Sequence, residues 1–278
     1  MALDLARILP MRSITGSLSA MKRRWKHAGL AALSSESLQA VIDKEIPAVI
    51  ISDFATLAEC DQLAAAILSM KAKEYEFGKP GSYLGIPLAH YRDRPKEAYF
   101  AQVEAAERER ATIVNAAFDP VERFMHRIRN QTDFNISIAE EPGSGRYFAG
   151  IIRLIPGGSD VHVDYAPTFA KGLMAVGDIS AQLAWNLYVS SPSQGGETVV
   201  YDQPFEFTGI DRSYKAYDSA LLVDCDSFTF QPQVGSVVIF NTGNPHVVLP
   251  SPEGAARQRI ATGSFMGVMD RRNLILWS

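Results

Sequence analysis

The residues of this chain that are best suited to chemistry are His162, Asp164 and His246. His162 and Asp164 stand two positions apart in a short stretch, residues 161–165, whose composition favours an extended backbone. Side chains at positions i and i+2 of a strand point to the same face, so this imidazole and this carboxylate can bind one ion together. His246 lies far along the chain and can supply a third ligand. We therefore predict a metal site of two histidines and one carboxylate.

Such a set occupies one face of an octahedral metal and leaves three adjacent positions open, which is typical of non-heme Fe(II) oxygenases. Zinc is the alternative, because the same ligand types suit catalytic zinc. The sequence lacks the zinc hydrolase signature with two histidines on one helical turn, and this favours iron. His27, His90 and His126 have no partner at ligand spacing, so we do not expect them to bind metal.

The sequence around these ligands resembles the Fe(II)/2-oxoglutarate-dependent dioxygenases, in particular their prolyl-4-hydroxylase-like branch. The matching pieces are scattered over roughly residues 46–270 and follow the family's order. They are a strand with a Pro-Gly-Gly turn (152–158), a His-x-Asp-Tyr motif (162–165), a Gly-Gly-Glu-Thr turn (195–198), an apolar strand (235–240) and a His-x-Val-x-Pro segment followed by arginines (246–259). The central segments are also similar to those of carrier-free small-molecule oxygenases and aliphatic halogenases.

Hydrophobic periodicity and turn residues predict helices first and strands later in the chain. Residues 1–45 are expected to be helical, a strand is expected at 48–51 and a loop at 78–95. Further helices are expected at 57–71, 97–117 and 120–130. Short strands are expected at 147–155, 161–165, 180–190, 197–201, 221–230, 236–240, 246–249 and 258–268.

This order indicates an α+β protein with a double-stranded β-helix (jelly roll) core that is braced by N-terminal helices. We expect one oxygenase domain over residues 1–278. Residues 1–133 would be mainly helical support, and residues 134–278 would form the jelly-roll core.

In the resembling family, 2-oxoglutarate needs a cation for the carboxylate that is far from the metal, and an arginine matches a carboxylate at two points. Arg257 and Arg259 are expected on one strand face, and the family pattern favours Arg259. Asn186 and Tyr188 share a strand face and are candidates for hydrogen bonds to this cosubstrate. Arg153 is a further candidate for the cosubstrate site. We expect the glycine pair at 195–196 to form a tight turn with positive φ, without a chemical role.

The long connection from Tyr165 to Ser180 is a candidate active-site lid, because loops of this length in compact domains often close over a site. Phe169 and Met174 in this connection could close on an apolar substrate. An ordered surface loop is the alternative.

The resemblance implies an enzyme that uses Fe(II), 2-oxoglutarate and dioxygen, with no catalytic residue beyond the metal ligands. It would hydroxylate an unactivated carbon of a small molecule, such as an amino-acid derivative or a natural-product intermediate, and release succinate and CO2. Related halogenases have a small residue in place of the metal-binding carboxylate, so Asp164 favours hydroxylation, desaturation or cyclisation over halogenation. The alternatives are a hydroxylase of protein or peptide side chains and a non-catalytic metal-binding sensor.

Composition narrows the class of protein further. The net charge of −4 argues against an electrostatically bound nucleic acid. Two cysteines, Cys60 and Cys225, provide no disulfide framework and suit a reducing compartment. No apolar run reaches the roughly 18 residues of a membrane span, and the first 30 residues lack a secretory signal. We therefore expect a cytoplasmic enzyme with a small-molecule substrate and no membrane partner. The sequence does not fix the oligomeric state, and a homodimer is one alternative.

Overall fold

The computed structural model describes residues 24–76, 79–203, 205–206, 209–210 and 217–278. Its strands in these ranges are β1 (Leu30–Ala32), β2 (Ala48–Ile51), β3 (Lys73–Glu74), β4 (Ser82–Leu84), β5 (Asn135–Ile138), β6 (Glu140–Glu141), β7 (Gly145–Arg146), β8 (Ile151–Leu154), β9 (Ala181–Ser190), β10 (Thr198–Tyr201), β11 (Ser227–Phe230), β12 (Val237–Asn241), β13 (His246–Val248), β14 (Ile260–Val268) and β15 (Asn273–Trp277). Its α-helices are α1 (Ser35–Ile42), α2 (Leu57–Leu68), α3 (Lys96–Val114), α4 (Pro120–Gln131) and α5 (Pro167–Ala170). Short 3-10 helices lie at Leu88–Tyr91, Ala175–Gly177 and Ser219–Leu222.

The large sheet has the strand order β1-β2-β12-β9-β14-β8-β4-β3, and β15 joins it through β14. Strand β9 lies in its middle and is paired along both edges, with β12 on one side and β14 on the other. Strand β14 is long enough to pair with β8 through its first half and with β15 through its second half. The sheet therefore presents a continuous wall on which β8, β14 and β9 lie side by side.

The small sheet has the order β11-β10-β13, and an isolated bridge between His162 and His246 adds the segment around residue 162 to its edge. Its side chains share one apolar cluster with the large sheet, which places the two sheets face to face. The buried members of that cluster are Trp25, Ala48, Ala184, Tyr188, Val200, Phe230, Val238, Phe240 and Ala261. The expected double-stranded β-helix is thereby confirmed.

The outer face of the large sheet is covered by helices. Leu183, Trp185 and Leu187 point to this face from β9 and share a buried core with residues of α1 to α4. The ring of Phe124 in α4 stacks on Trp185 at 4.3 Å between centroids and 11° between planes. Alternate residues of β9 thus serve two purposes: one set anchors the helices, and the other set faces the interior between the sheets.

The expected bounds in the N-terminal half need two corrections. Residues 24–45 are not one helical stretch, because strand β1 precedes helix α1; residues 1–23 lie outside the described residues. β1 pairs in parallel with β2, and this pairing overrides the helix propensity of its alanines. The expected loop at 78–95 contains β4, which pairs with β8, and a 3-10 helix at Leu88–Tyr91.

Two corrections also apply to the C-terminal half. Residues 161–165 form no strand; the amide N–H of Asp164 donates to the carbonyl of Thr242 at 3.0 Å, and only His162 makes a bridge. In the stretch 221–230 only β11 is a strand, because its first residues complete a 3-10 helix. Strands β5 and β15, which were not expected, pair with each other in parallel.

Candidate metal centre

The fold brings His162, Asp164 and His246 together at the open edge of the small sheet. One ligand atom from each of the three side chains lies within 4.8 Å of the other two. Asp164 Oδ2 is 3.6 Å from His162 Nε2 and 3.5 Å from His246 Nε2. In the part of the chain that the structure describes, this is the one group of three histidine, cysteine or acidic side chains with such spacing.

Backbone hydrogen bonds hold the two metal-binding segments side by side. The amide N–H of His162 donates to the carbonyl of His246 at 3.0 Å, and that of His246 donates back to His162 at 2.9 Å. The hydroxyl of Thr242 donates to the carbonyl of Asp164 at 2.8 Å. Ligands that are distant in the sequence are thus fixed by a local hydrogen-bonded frame.

The tautomers of both histidines follow from their partners. Nδ1 of His162 lies 2.7 Å from the carbonyl oxygen of Asp160, and Nδ1 of His246 lies 3.0 Å from that of Asn244. A carbonyl oxygen only accepts hydrogen bonds, so each Nδ1 carries a proton, and in the neutral ring Nε2 is then the nitrogen with the free lone pair. Orientation of the ring by a second hydrogen bond is usual for metal-binding histidines.

The charges at the site favour the states that bind a cation. Burial lowers the pKa of His162, and the nearby His246 lowers it further. Burial alone would raise the pKa of Asp164, but His162, His246 and, to a smaller extent, Arg153 hold it well below its usual range. A neutral imidazole and a carboxylate anion are the forms that coordinate metals.

Arg259 lies in the interior between the sheets without a carboxylate partner among the described residues. Its residue exposure is 4%, its Nε donates to the carbonyl of Gly196 at 3.0 Å, and its guanidinium carbon lies 5.3 Å from the ring centre of Tyr188. Burial lowers the pKa of Arg259. The hydroxyl of Tyr188 is buried and has no hydrogen-bond partner in the described part of the chain. A buried guanidinium without a counter-anion indicates an anionic ligand.

The family comparison agrees with this donor set. The family model described as carrier-protein-independent halogenase WelO5 matches residues 27–278. The chain belongs to this family. It is an Fe(II)/2-oxoglutarate-dependent dioxygenase, with dioxygen as the further cosubstrate.

Two curated proteins are similar in sequence. Leucinostatins biosynthesis cluster protein S of Purpureocillium lilacinum is 30% identical over 197 residues, which cover 66% of this chain and 80% of that protein. L-gamma-glutamyl-L-propargylglycine hydroxylase of Streptantibioticus cattleyicolor is 31% identical over 132 residues, which cover 47% of this chain and 48% of that protein.

The fold is also found in a solved structure. An N-substituted L-amino acid dioxygenase from Burkholderia ambifaria has a TM-score of 0.56 and 13% identity, and the match covers 88% of this chain and 91% of that chain. At this identity the likeness concerns the fold alone.

The residues at the centre fit the cofactors of the family. Two imidazole Nε2 atoms and one carboxylate provide the nitrogen and oxygen donors that Fe(II) accepts in this class of enzyme. The buried guanidinium of Arg259, which has no carboxylate partner in the described part of the chain, and the adjacent hydroxyl of Tyr188 suit a dicarboxylate cosubstrate.

Arg257, the other arginine candidate, lies at the surface. Its side chain is 56% exposed and is 3.5 Å from Asp61. The expectation that Arg257 and Arg259 share a strand face is wrong, because β14 begins only at Ile260. A bend at residues 256–257 turns the chain just before the strand, and Arg259 is the buried cation of the two.

The glycine pair Gly195–Gly196 has positive φ values of 75° and 74°, as expected for a tight turn. The turn also positions Arg259, which was not expected: the carbonyl of Gly196 accepts the Nε–H bond, and Thr198 Oγ1 lies 3.5 Å from a terminal nitrogen. A Cβ atom on Gly196 would lie 3.1 Å from Cδ of Arg259. The Gly-Gly-Glu-Thr motif was the feature of the sequence that could have indicated this positioning role. Its glycines allow the tight turn, and its threonine supplies a hydroxyl close to Arg259.

Asn186, Tyr188 and Arg153 all belong to the interior side of the large sheet. Asn186 is half-buried although its strand is paired on both edges, so there is open space in front of it. Its side chain has no hydrogen-bond partner among the described residues. Arg153 on β8 is also half-buried, and its guanidinium carbon lies 5.9 Å from the ring centre of Phe265.

The connection from Tyr165 to Ser180 contains helix α5 and a 3-10 helix. Phe169 and Met174 are half-buried against the apolar cluster that also includes Tyr83 and Phe265. This location is compatible with a lid, and the role of the two side chains in binding substrate stays a prediction.

Sequence reasoning missed Tyr75 and Tyr83, which lie beside the interior arginine Arg153. Strands β3 and β4 form a hairpin, and the register places Tyr83 opposite Arg153 of β8. The short run Ser-Tyr-Leu at 82–84 was the available signal for a strand, but the glycines and prolines around it favoured a loop. The hairpin forms because β4 pairs with the otherwise free edge of β8.

Within the described ranges, none of the helices combines the length and the apolar character that a membrane crossing requires.

Proposed function

We propose that the enzyme hydroxylates an unactivated carbon of a small molecule, with release of succinate and CO2. The observation that carries this proposal is the presence of Asp164 in the metal centre, with Oδ2 at 3.6 and 3.5 Å from the two histidine Nε2 atoms. A carboxylate at this position takes the coordination place that a halide would need. The family is named for a halogenase, but Asp164 favours insertion of oxygen.

Different residues would bind the metal and the cosubstrate. His162, Asp164 and His246 would hold Fe(II), and Arg259, assisted by Tyr188, would hold the far carboxylate of 2-oxoglutarate. When bound, these cofactors supply the oxidation, in which dioxygen converts 2-oxoglutarate to succinate and CO2 and a substrate C–H bond to C–OH. The chain orients the reactants and keeps water away through the apolar side chains around the centre.

The half-buried residues around Asp164 support a small substrate. Asn186, Arg153 and Phe265 are half-buried on the interior face of the large sheet, and Phe169 packs against the same apolar cluster as Phe265. The relative named as a hydroxylase of L-gamma-glutamyl-L-propargylglycine supports an amino-acid derivative as substrate class. A cytoplasmic location without nucleic-acid partners is part of the proposal, because the net charge is −4 and both cysteines are free.

The test is a screen of amino-acid derivatives, with L-gamma-glutamyl-L-propargylglycine among them, in the presence of Fe(II), 2-oxoglutarate and chloride. We expect succinate formation that depends on a substrate, and a product that has gained one oxygen atom by mass spectrometry. A dominant chlorinated product would contradict the proposal. Asp164→Gly should lose hydroxylation and bind iron more weakly, because one anionic ligand is gone.

A further inference from the structure

A second cation lies on the interior face of the large sheet. Arg153 stands on β8, opposite Ala261 of β14 and Tyr83 of β4. It is half-buried, whereas Arg259 has an exposure of only 4%. Among the described residues, no carboxylate lies within 4.0 Å of its guanidinium, although most of the other interior or half-buried arginines are paired.

The strand register places Arg153 on the interior face of the large sheet. Its partner on β14, Ala261, belongs to the apolar cluster between the two sheets, and so does Phe240, whose ring centre lies 5.0 Å from that of His246. Arg153 therefore stands on the face that is turned toward the candidate metal ligands.

Aromatic side chains lie next to Arg153. The rings of Tyr75 and Tyr83 are 4.8 Å apart, and the hydroxyl of Tyr83 lies 3.3 Å from Nδ1 of His90. Burial raises the pKa of Tyr75, and the adjacent Arg153 opposes this increase. Phe265 lies on the other side, 5.9 Å from the guanidinium carbon. The surroundings therefore combine a positive charge, a phenol hydroxyl and apolar faces.

The two interior arginines have different roles in this arrangement. Arg259 is held by the Gly196 carbonyl in the closed interior and suits the cosubstrate. Arg153 is half-buried beside Phe265 and on the side of the hairpin β3–β4, so part of its side chain stays accessible. Two anions can therefore be bound at once.

We infer that Arg153, together with the hydroxyl of Tyr75, binds a carboxylate of the substrate. The substrate is then an anionic small molecule whose apolar part packs against Tyr83 and Phe265. This inference rests on the proposed function, and it moves Arg153 from the cosubstrate group, where the sequence placed it, to substrate recognition. An arginine fork matches a carboxylate at two points, which explains why arginine suits this position.

The experiment measures binding without turnover. Protein loaded with Fe(II) and 2-oxoglutarate in the absence of dioxygen is titrated by calorimetry with N-acetyl-L-leucine and N-acetyl-L-tryptophan, each compared with its carboxamide. Wild-type protein should bind at least one acid about tenfold more tightly than the amide. Arg153→Met should remove this preference by weakening the acid, Arg153→Lys should keep part of it, and Tyr75→Phe should reduce it. Arg108→Met, at an exposed ion pair on α3, is the matched control and should behave as wild type.

The affinity for 2-oxoglutarate is measured on the same variants and should change less than about twofold in Arg153→Met. A comparable loss of 2-oxoglutarate binding in Arg153→Met would assign Arg153 to the cosubstrate and overturn the inference. Equal binding of acid and amide to wild type, or no binding of either acid, would overturn it as well. Substrate-dependent succinate formation with a neutral molecule would leave the proposed hydroxylase function intact while the inference fails.

Discussion

At the scale of single residues, Arg257 and Arg259 show how position decides the role of a charge. They are two residues apart, yet Arg257 has a side-chain exposure of 56% and Arg259 is buried at 4%. A buried cation without an anion costs free energy, which a bound carboxylate would recover. An exposed pair such as Arg257 with Asp61 contributes little, because solvent screens it.

We therefore predict that Arg259→Ala raises the apparent constant for 2-oxoglutarate by tens-fold or more. Loss of one partner of a buried charge-assisted pair typically costs on the order of 2–5 kcal/mol. Arg257→Ala is the matched control and should stay within about twofold of wild type. The measurement is succinate formation over a range of 2-oxoglutarate concentrations. If Arg257→Ala produced the large effect and Arg259→Ala did not, the two assignments would have to be exchanged.

The convergence of His162, Asp164 and His246 could be predicted from their types and order, because His162 and Asp164 need only an extended backbone to face the same ion. Their orientation could not be predicted. It depends on the carbonyls of Asp160 and Asn244, which any residue type provides. The use of a backbone carbonyl as an acceptor cannot be recognised from the residue type, whereas a side-chain ligand can.

At the scale of elements, the start of α2 combines a cap with an ion pair. Glu59 Oε2 accepts from the amide of Thr56 at 2.8 Å, and the amide of Glu59 donates to Thr56 Oγ1 at 3.2 Å. Arg123 of α4 donates to Glu59 Oε1 at 2.7 Å. The hydrogen bond from Arg123, followed by that from Thr56, lowers the pKa of Glu59 to about 2.

The lowered pKa of Glu59 predicts that the free energy of unfolding depends on pH. The folded pKa lies below the unfolded value of about 4.3, so the stability from ionised Glu59 is present above pH 4.3 and is lost as the pH falls toward 2. Both side chains are 28–29% exposed, so we discount the effect for screening. Glu59→Gln should lower the free energy of unfolding by about 1–2 kcal/mol at pH 7.

Urea unfolding at pH 7 and at several lower values checks this prediction. The difference between wild type and Glu59→Gln should narrow as the pH falls through the range from about 4.3 to 2. Glu104→Gln, which removes the exposed pair with Arg108 on α3, should cost at most about 0.5 kcal/mol at pH 7. A difference for Glu59→Gln that stays constant with pH would show that the carboxylate charge is not involved.

Helices α2 and α4 could be predicted well because their starts carry local signals. Thr56 with Glu59 forms a capping box, and Asp119 before Pro120 caps α4. Strands β1, β4 and β5 could not, because each is short and is stabilised by a neighbour that is distant in sequence. Short strands of this kind depend on a partner, which their own residues do not specify.

At the scale of the whole molecule, the jelly roll makes one site from distant segments. His246 begins β13, while His162 and Asp164 lie in a segment that is joined to it by backbone hydrogen bonds. The order of the motifs along the chain was enough to predict that these segments come together. The space between the two sheets and the β3–β4 hairpin could not be predicted. Both depend on contacts between segments that are distant in the sequence, such as the pairing of β4 with β8.

This construction couples metal binding to global stability, because the three ligands converge only in the folded chain. A ligand that binds the native state alone at about 100 times its Kd stabilises that state by roughly 2.7 kcal/mol. For a domain of this size, this corresponds to a rise of about 5–10 °C in Tm. Metal-free protein that receives Fe(II) without dioxygen should show such a rise by scanning fluorimetry, and a chelator should reverse it. His246→Ala should lose most of the shift and all turnover, whereas His126→Ala, at an exposed position on α4, should retain both. Wild-type turnover of His246→Ala with added iron would show that the triad assignment is wrong.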